Sequence, residues 1–464
     1  MKYVEIRELG EIITGKTPPT ENQFFYDGDY PFITPTDIES FDKKYLCSTE
    51  RTLSSLGAKK VKSCKLPAKS ICFVCIGSTI GKMCMTNCES YTNQQINSVI
   101  PNKRCDNDYL FYYLRYVNEY FRSIGAGTGS GKGIVNKTVF SKTKIQINED
   151  KKEQKKIADV LSTYDELIEN NNKRIKILEQ MAENLYKEWF VRFRFPGHES
   201  VEFENAIPKG WESVSLSELL LDSFNGGWGT DVAEAKNVYE GYVIRGTDIP
   251  DIKNADMKNL PLRYHTENHI ITKQLIKDDI IIELSNGNID NIGRSLLITN
   301  GLIEKLGKVM CASFCKTLRC KNHRFALSLF FQINYMQKVG LLNFYKNTGT
   351  NGINNFNFKR FLKQKIICPK EELLISLEKI YELVEKYRNL NENLSNQRGM
   401  LLPRLMSGKL EVGEKQEKGL EFKPKKTFVE FKNEFKAAAR KDGGLTEQDL
   451  EELYKAYCDD SLDE

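Results

Sequence analysis

A long heptad pattern of apolar positions runs through residues 149–190. Apolar side chains recur at alternating spacings of three and four, with mostly charged and amide residues between them and no Gly or Pro. The seam positions are Ile157, Leu161, Tyr164, Ile168, Asn171, Ile175, Leu178, Ala182, Leu185 and Trp189. This pattern predicts a long helix in a coiled coil, with one polar interruption at Asn171.

A second heptad pattern, over residues 371–410, supplies a partner for the first. Its seam positions are Leu373, Leu377, Ile380, Val384, Tyr387, Asn391, Leu394, Arg398, Leu401 and Leu405. In an antiparallel pair with Asn171 facing Asn391, facing residue numbers sum to 562. A shift by one heptad keeps most apolar matches, but a polar seam residue commonly fixes register, so we expect these asparagines to hydrogen-bond. Pro403 is expected to end or kink the second helix.

The segments that precede the two helices share one pattern of short strands and turns. Thr-Asp-Ile at 36–38 recurs 211 positions later at 247–249, each time after an apolar strand. The stretches at 70–83 and 127–147 are matched in the same order at 279–295 and 347–367. The chain is therefore a globule and a helix, repeated once, with a unit of roughly 220 residues.

These patterns predict an α/β fold class with two repeated irregular α/β domains and two long helices that form an antiparallel coiled coil. The expected parts are a first domain at 1–148, a first helix at 149–190, a linker at 191–207, a second domain at 208–370, a second helix at 371–410 and a tail at 411–464. A duplicated protein of this kind suits a ligand with two half-sites at a fixed gap, and DNA is the obvious one.

Composition narrows the class of protein. The longest apolar runs are too short to span a bilayer and the N-terminus has no signal-peptide core, so we expect a soluble, cytoplasmic protein. Twelve Cys without a secretory signal indicate reduced thiols. Residues 446–464 hold eight acids and one Lys, a net −7, which leaves +12 for the rest of a chain whose total is +5. A basic body permits a polyanionic partner.

Two short motifs resemble a nucleotide-binding loop and a zinc site, but their residues fit neither kind of site well. The Gly-rich stretch at 125–133 has Ala126 where a phosphate-binding loop needs its first Gly, and Gly133 where it needs Ser or Thr. We interpret it as a flexible loop or as a loop that contacts DNA phosphate through its backbone and Lys132. Cys72 and Cys75 lie on a strand, where positions three apart face opposite sides, so buried thiols are favoured over zinc.

The histidines and the familiar catalytic motifs give no active site. His265 and His269 are four residues apart, but the Glu of an HExxH motif is missing, and we interpret both as surface residues. No Ser-His-Asp or Cys-His arrangement can be identified, and an amino-methyltransferase-like Asn-Pro-Pro-aromatic motif and helicase-like motifs are absent from the sequence. We therefore expect no catalytic residues and no bound metal.

The order of parts, together with particular stretches of sequence, resembles the specificity (S) subunit of a Type I restriction–modification system. These stretches are LGEIITGKTPP, FITPTDI, NQQINSVIP, the sequence of the first long helix, IPKGWESVSLSELL and LLPRLMSGKLEV. The resemblance spans residues 1 to 412 and implies two target-recognition domains, each reading one half of a bipartite double-stranded DNA sequence. It also implies that the helices set the gap and carry methyltransferase (M) subunits, two being expected.

The resemblance further implies that this chain is a non-catalytic subunit. S-adenosylmethionine would belong to the methyltransferase partner, and ATP and Mg to the restriction (R) partner. Alternatives are a self-contained restriction or methylation enzyme, and a coiled-coil scaffold that does not bind DNA. Apolar helix residues such as Ile177, Met181, Trp189 and Phe190 are expected to leave surface for partner subunits. The tail at 411–464 has no assigned role.

Base reading requires amide, guanidinium and hydroxyl side chains on loops. In the first domain the candidates are Lys16, Thr17, Ser78, Thr79, Lys82, Asn93, Gln94, Gln95 and Lys132. In the second domain they are Arg245, Thr247, Asn286, Asn288 and Arg294, beside the loop at 225–230. Any one of them also fits an ordinary turn or cap, so the prediction concerns the set. Phosphate contacts from Lys and Arg should make the affinity fall with salt.

Overall fold

A computed structural model describes residues 2–38, 43–46, 48–126, 133–253, 257, 259–348 and 353–413. The chain divides into two compact units. Among the described residues, the first unit combines those up to Asn170 with 393–413, and the second is built on Asn171–Glu392. Each long helix therefore contributes one half to each unit. The tail, from residue 414, lies outside the described residues.

The described part of the first domain contains nine strands and five short helices. The strands are β1 (Lys2–Glu5), β2 (Gly10–Thr14), β3 (Tyr26–Ile33), β4 (Arg51–Leu53), β5 (Ile71–Val74), β6 (Met83–Met85), β7 (Tyr91–Thr92), β8 (Ile96–Pro101) and β9 (Lys144–Ile147). The helices are α1 (Ile6–Leu9), α2 (Ser55–Lys60), α3 (Asn107–Tyr116), α4 (Asn118–Ala126) and α5 (Lys137–Lys142).

These strands form three small sheets. One has the order β2-β8-β5-β6, and another has the order β4-β3-β7, in which β3 and β7 are parallel. The first and last strands, β1 and β9, pair antiparallel from Lys2 opposite Ile147 to Glu5 opposite Lys144. The domain therefore begins and ends side by side.

The first long helix, α6, spans Lys151–Tyr186 and continues as a π-helical turn over Lys187–Val191. Short strands β10 (Phe203–Glu204) and β11 (Ile207–Pro208) then form a hairpin. Phe195, in the segment expected to be a linker, is buried and stacks on Trp211 with ring centroids 5.1 Å apart. This segment is thus packed against the second unit, because its aromatic residues remove apolar surface from water.

The second domain and the second long helix complete the described chain. The strands are β12 (Glu212–Ser215), β13 (Leu220–Asn225), β14 (Tyr239–Ile244), β15 (Leu262–His265), β16 (Ile280–Glu283), β17 (Ser285–Asn286), β18 (Ser295–Leu297), β19 (Val309–Cys311), β20 (Cys315–Cys320), β21 (Lys346–Thr348), β22 (Asn354–Phe356) and β23 (Lys365–Cys368). The helices are α7 (Leu216–Leu219), α8 (Ile249–Lys253), α9 (Glu267–Lys273), α10 (Asn300–Leu306), α11 (His323–Lys338), α12 (Phe358–Phe361) and α13 (Glu371–Met406).

The second domain repeats the strand order of the first. The sheet β13-β20-β16-β18 matches β2-β8-β5-β6, and β15-β14-β19 matches β4-β3-β7, again with one parallel pair. The closing ladder β12–β23 matches β1–β9. The second domain adds the small sheet β17-β22-β21. The predicted duplication is therefore visible as topology as well as sequence.

The two long helices pair antiparallel within each unit. In the second unit Asn171 Nδ2 donates to Asn391 Oδ1 at 2.9 Å, which is the predicted pairing. The predicted seam residues that are buried are Ile157, Leu161, Asn171, Leu178, Ala182, Leu185, Trp189, Leu377, Ile380, Val384, Tyr387, Arg398 and Leu405, and those half-buried are Tyr164, Ile168, Ile175, Leu373, Asn391, Leu394 and Leu401. Helix α13 does not end at Pro403 but continues to Met406.

A buried charged network joins the first domain to its halves of the helices. Lys44 Nζ lies 2.6 Å from Asp108 Oδ1 and donates to Ser162 Oγ on α6 at 2.9 Å. Asp165 of α6 accepts hydrogen bonds from Tyr112 of α3 and from Arg398 of α13. The side chains of Asp165 and Arg398 are only 9% and 6% exposed. Such a pair depends on both partners, because either charge alone would be buried and uncompensated.

The expectation that four apolar helix residues leave surface for partner subunits is wrong for three of them. Met181, Trp189 and Phe190, expected to leave surface for partners, are at most 5% exposed. They lie in one hydrophobic core with α11, and neighbouring Tyr186 stacks on Phe331 with ring centroids 6.1 Å apart.

Candidate nucleic-acid interface

Two loops of the first domain meet where β2 ends and β8 begins. The N–H of Gly15 donates to the carbonyl of Ile96 at 3.2 Å. A Cβ at Gly15 would collide with backbone carbonyls of residues 92 and 93, so only glycine permits this approach. Thr17 Oγ1 donates to Gln94 Oε1 at 2.7 Å, and Lys16 is exposed beside them. The structure thus brings three predicted residues together.

The loop at 93–95 is ordered by its own amides. Asn93 Oδ1 accepts from the N–H of Gln95, and Asn93 Nδ2 donates to Gln95 Oε1, both at 3.1 Å. The carbonyl of Gln95 accepts from the N–H of Cys75 at 2.9 Å, which ties the loop to the end of β5. Gln94 remains exposed. A short, internally bonded loop of this kind presents its amide side chain at low entropic cost.

The loop between β5 and β6 joins the same cluster. Gly77 N–H donates to the carbonyl of Gly133 at 2.9 Å, and the following Ser78 is exposed. Thr79 Oγ1 donates to a main-chain carbonyl at 3.2 Å, so its hydroxyl is used in the turn itself. Lys132 lies outside the described residues. With it excepted, the predicted first-domain residues lie on loops connected to one another by hydrogen bonds.

A basic residue occupies the same place in both domains. Lys82 follows Gly81, whose φ is +89°, and Arg294 follows Gly293, whose φ is +88°. The carbonyl of Lys82 accepts from the last residue of β5, and that of Arg294 accepts from Glu283, the last residue of β16, both at 2.9 Å. The left-handed backbone at this turn favours glycine, and each domain carries a basic residue at the backbone position that follows it.

The repeated Thr-Asp-Ile motif organises a turn, a role that sequence reasoning missed. In the first domain Asp37 Oδ2 accepts from the N–H of Thr34 at 2.7 Å. In the second domain Asp248 accepts from the N–H of Arg245 at 2.8 Å and from its guanidinium at 2.7–3.1 Å. Arg245 is therefore already paired within the domain, whereas Thr247 beside it is exposed. The recurrence of Thr-Asp-Ile 211 positions along the chain is the feature of the sequence from which this role could have been predicted.

Asn286, Asn288 and Arg294 belong to one turn built on a buried carboxylate. Glu283 is 2% exposed, and its Oε1 accepts from Asn286 Nδ2 at 2.6 Å. Asn286 Oδ1 accepts from the N–H of Asn288 at 2.8 Å, and Arg294 donates to Asn291. Burial raises the pKa of Glu283, while Asn286 and Arg294 counteract that rise. Asn288 is the exposed member of this turn.

His265 is buried and His269 is half-buried, so the prediction that both are surface residues is wrong. His265 is 1% exposed and its ring lies 4.7 Å from that of His269, centroid to centroid. Burial lowers the pKa of His265 to about 4, with a smaller contribution from His269. The glycines at 227 and 229 allow this burial, because a Cβ at either would strike an imidazole.

The cysteines are placed as the strand geometry predicts. Cys72 and Cys75 are free thiols in two different hydrophobic cores, on opposite faces of β5. Across the described ranges, no group of three or more His, Cys, Asp or Glu is arranged to hold a metal ion. A membrane-spanning helix is likewise missing there, since none is both long and apolar enough.

Comparison with known proteins finds a family match for the first domain. A family model described as "Type I restriction modification DNA specificity domain" matches residues 1–180, which comprise the first domain and most of α6. The MjaIX specificity subunit of Methanocaldococcus jannaschii is 29% identical over 285 residues, covering 58% of this chain and 64% of that protein. Residues 1–180 of this chain are thus similar to the DNA specificity domains of Type I restriction–modification systems.

Two further proteins are similar to this chain, one in sequence and one in structure. The HindI specificity subunit of Haemophilus influenzae is 36% identical over 179 residues, or 37% of each chain. The chain thus aligns with less than two thirds of either curated relative's length. A crystal structure of the S subunit from M. genitalium shares the fold, with a TM-score of 0.51 at 16% identity, over 87% of this chain and 96% of that one. The second domain, beyond the family match, repeats the first domain's topology.

Proposed function

We propose that this chain is the DNA-specificity subunit of a Type I restriction–modification complex, in which each domain reads one half of a bipartite DNA target. The observation that carries this proposal is the equivalence of Lys82 and Arg294 in two domains of identical strand order. A duplicated reader with equivalent cations fits a target of two half-sites, because half-site spacing mirrors the symmetry of the protein.

Within each domain we assign different tasks to charged and neutral side chains. Lys16, Lys82 and Arg294 would contact phosphates, which contribute affinity but no sequence information. The exposed amides and hydroxyls, such as Gln94 and Asn288, would contact base edges in the major groove. Differences between the two loop sets would give the two half-sites different sequences.

The helix pair would set the gap between half-sites and dock two methyltransferase subunits. Several apolar side chains of α6 and α13 remain exposed and could receive partners: Leu167, Ile375, Leu383, Leu390 and Met400 are 36–60% exposed. Restriction subunits would join the same complex. S-adenosylmethionine would be bound by the methyltransferase, and ATP and Mg by the restriction subunit, so that this chain would catalyse nothing itself.

A genome-wide map of methylated adenines, with and without this gene and with the partner subunits present, tests the proposal. We expect a two-part motif with a fixed gap that disappears when the gene is deleted. Alanine at both Lys82 and Arg294 should abolish the same motif, whereas alanine at exposed Lys155, on α6, should leave it intact. An unchanged methylation map, in cells where the partner methyltransferase is active, would refute the proposal. DNA methylation by the purified chain alone would favour a self-contained enzyme.

A further inference from the structure

Two loop positions that carry polar side chains in the first domain carry aromatic ones in the second. Gly15 N–H bonds to the carbonyl of Ile96, and Gly226 N–H bonds to that of Cys315, each at 3.2 Å, so these two glycines are equivalent. Two residues after each glycine stand Thr17 and Trp228.

The second exchange lies on the neighbouring loop. The carbonyl of Gln95 accepts from the N–H of Cys75 at 2.9 Å, and the carbonyl of Phe314 accepts from that of Leu284 at 2.8 Å. Cys75 and Leu284 each follow the last residue of equivalent strands, β5 and β16. Gln95 and Phe314 are therefore equivalent, and Phe314 is 63% exposed. Most of the Phe314 ring is therefore left in contact with solvent, an apolar surface that needs an explanation.

Trp228 is held as a rigid platform with part of its surface open. It is 37% exposed, and the guanidinium carbon of Arg263 lies 4.2 Å from its ring centroid. Arg263 is itself fixed by an ion pair with Asp231. Gly227 and Gly229 let the loop approach His269 and His265 closely, and Gly229 has a φ of +71° that other residues rarely adopt. The indole is thus preorganised, with a cation against it.

The two aromatic loops are adjacent. Gly227 N–H donates to the carbonyl of Cys311 at 2.9 Å, three residues before Phe314. Lys316 Nζ reaches Asn225 Oδ1 at 2.8 Å, which places a second cation on the same pair of strands. Aromatic rings flanked by Lys and Arg suit a partner that has both apolar ring surfaces and phosphates. Nucleic-acid bases have that chemistry, and stacking on aromatic side chains is tolerant of base identity.

We propose that Trp228 and Phe314 form an aromatic contact surface for the bases of the second half-site, where the first domain carries the hydroxyl of Thr17 and the amide of Gln95. The inference rests on the proposed function and names the chemistry of one of its two sites. The rings would contact a thymine methyl group or the face of an unstacked base, both of which are apolar contacts found in protein–DNA interfaces.

The test is selection from a randomised double-stranded DNA pool by the full chain and its variants. Trp228→Ala and Phe314→Ala should weaken binding by about 5- to 100-fold each and blur the sequence of one half-site, leaving the other half-site sharp. The salt dependence of binding should not change, because no phosphate contact is removed. Trp228→Phe, which keeps a ring, should lose less. Phe203→Ala, an exposed aromatic on the β10–β11 hairpin, should change nothing.

The outcomes separate the two proposals. A two-part motif from the wild type that Trp228→Ala leaves intact would overturn the aromatic contact and leave the proposed function standing. A smaller salt slope in Trp228→Ala would also overturn it, because the indole would then act through phosphates. If the wild type and Trp228→Phe bind the pool equally well and the wild type selects no motif, both the aromatic contact and the proposed function are refuted. The retained half-site serves as the internal control for folding.

Tryptophan fluorescence gives an independent measurement. The chain has three Trp, of which Trp189 and Trp211 are 5% and 6% exposed. Addition of the selected duplex should quench the emission of Trp228, and the Trp228→Phe variant should lose that quenching. Equal quenching in both proteins would contradict the assignment.

Discussion

Asn171 and Asn391 share a hydrogen bond at the layer where each long helix passes from one compact unit to the other. Asn391 Nδ2 also donates to Asn172 Oδ1 at 2.9 Å, so one amide of α13 engages two consecutive amides of α6. A polar layer in an apolar seam costs stability, but it penalises every register in which either amide would face a leucine.

Replacing both seam asparagines should therefore stabilise the helix pair and weaken its register. We expect Asn171→Leu with Asn391→Leu to raise the free energy of unfolding by about 1 kcal/mol, because a polar pair is exchanged for apolar contact. Denaturant unfolding of the full chain measures it. The exposed Asn170→Ala is the matched control and should shift stability by less than about 0.5 kcal/mol. A destabilised double variant would show that the amides contribute more than register.

The buried Asp165–Arg398 pair should be among the most sensitive features of the first unit. Asp165→Asn leaves the guanidinium without its counter-charge, and we expect a loss of about 3–5 kcal/mol in unfolding free energy. Chemical denaturation followed by circular dichroism measures the change. Lys155→Ala breaks an exposed pair with Asp159 on the same helix and should cost less than about 1 kcal/mol. Equal effects of the two substitutions would argue against the buried network.

Gly226 should be irreplaceable for the second half-site only. Gly226→Ala forces the loop away from the carbonyls of residues 311 and 312, which displaces Trp228 and Phe314 together. We expect at least about tenfold weaker binding of duplexes that carry the second half-site. Gly15→Ala should do the same for the first half-site. Gly399→Ala, on α13 where a Cβ meets only open space, is the control, and a loss at Gly399 equal to that at Gly226 would contradict the argument.

The burial of His265 should make the second domain less stable in acid. The pKa of His265 in the folded protein is about 4, below its usual 6.5, so the unfolded chain binds more protons between these values. Stability is then fully present above pH 6.5 and is lost as pH falls toward 4, by on the order of 3 kcal/mol. Unfolding midpoints measured across this range check the sign. His265→Phe should flatten the profile, and an unchanged slope would show that other groups dominate.

Lengthening the helix pair should lengthen the gap in the DNA target. Seven residues inserted into both α6 and α13 at the asparagine layer add about 10 Å of helix. That length corresponds to about three base pairs. Selection from a randomised duplex pool, or methylation mapping with partners present, would read the new gap. An assembly that binds DNA with an unchanged gap would refute the role of the helices in spacing.

The features that sequence predicted well are those determined locally. The register of Asn171 against Asn391 followed from heptad spacing, because a coiled coil aligns side chains by sequence position alone. The separation of Cys72 and Cys75 onto opposite faces followed from the two-residue period of a strand. Duplication was visible because whole segments recur in order.

What sequence could not predict depends on contacts between distant segments. The burial of His265 requires glycines at 227 and 229, some 40 positions away, to approach it. The pairing of Arg245 with Asp248, and the building of a turn on Glu283, depend on which side chains face each other across strands. Individual base contacts remain predictions for the same reason. Gln94 and Asn288 would differ from ordinary turn residues only by their contacts with DNA, which lies outside the chain.

The closing ladders β1–β9 and β12–β23 have an evolutionary consequence. Each domain begins and ends on a pair of adjacent strands, so its two ends lie side by side at a single junction. Everything between those strands can be replaced by recombination without moving the helices, provided the new segment closes the same ladder. On the proposed function, a lineage would acquire a new half-site by inheriting a different insert at one junction, while the other domain and the helix surface stay unchanged.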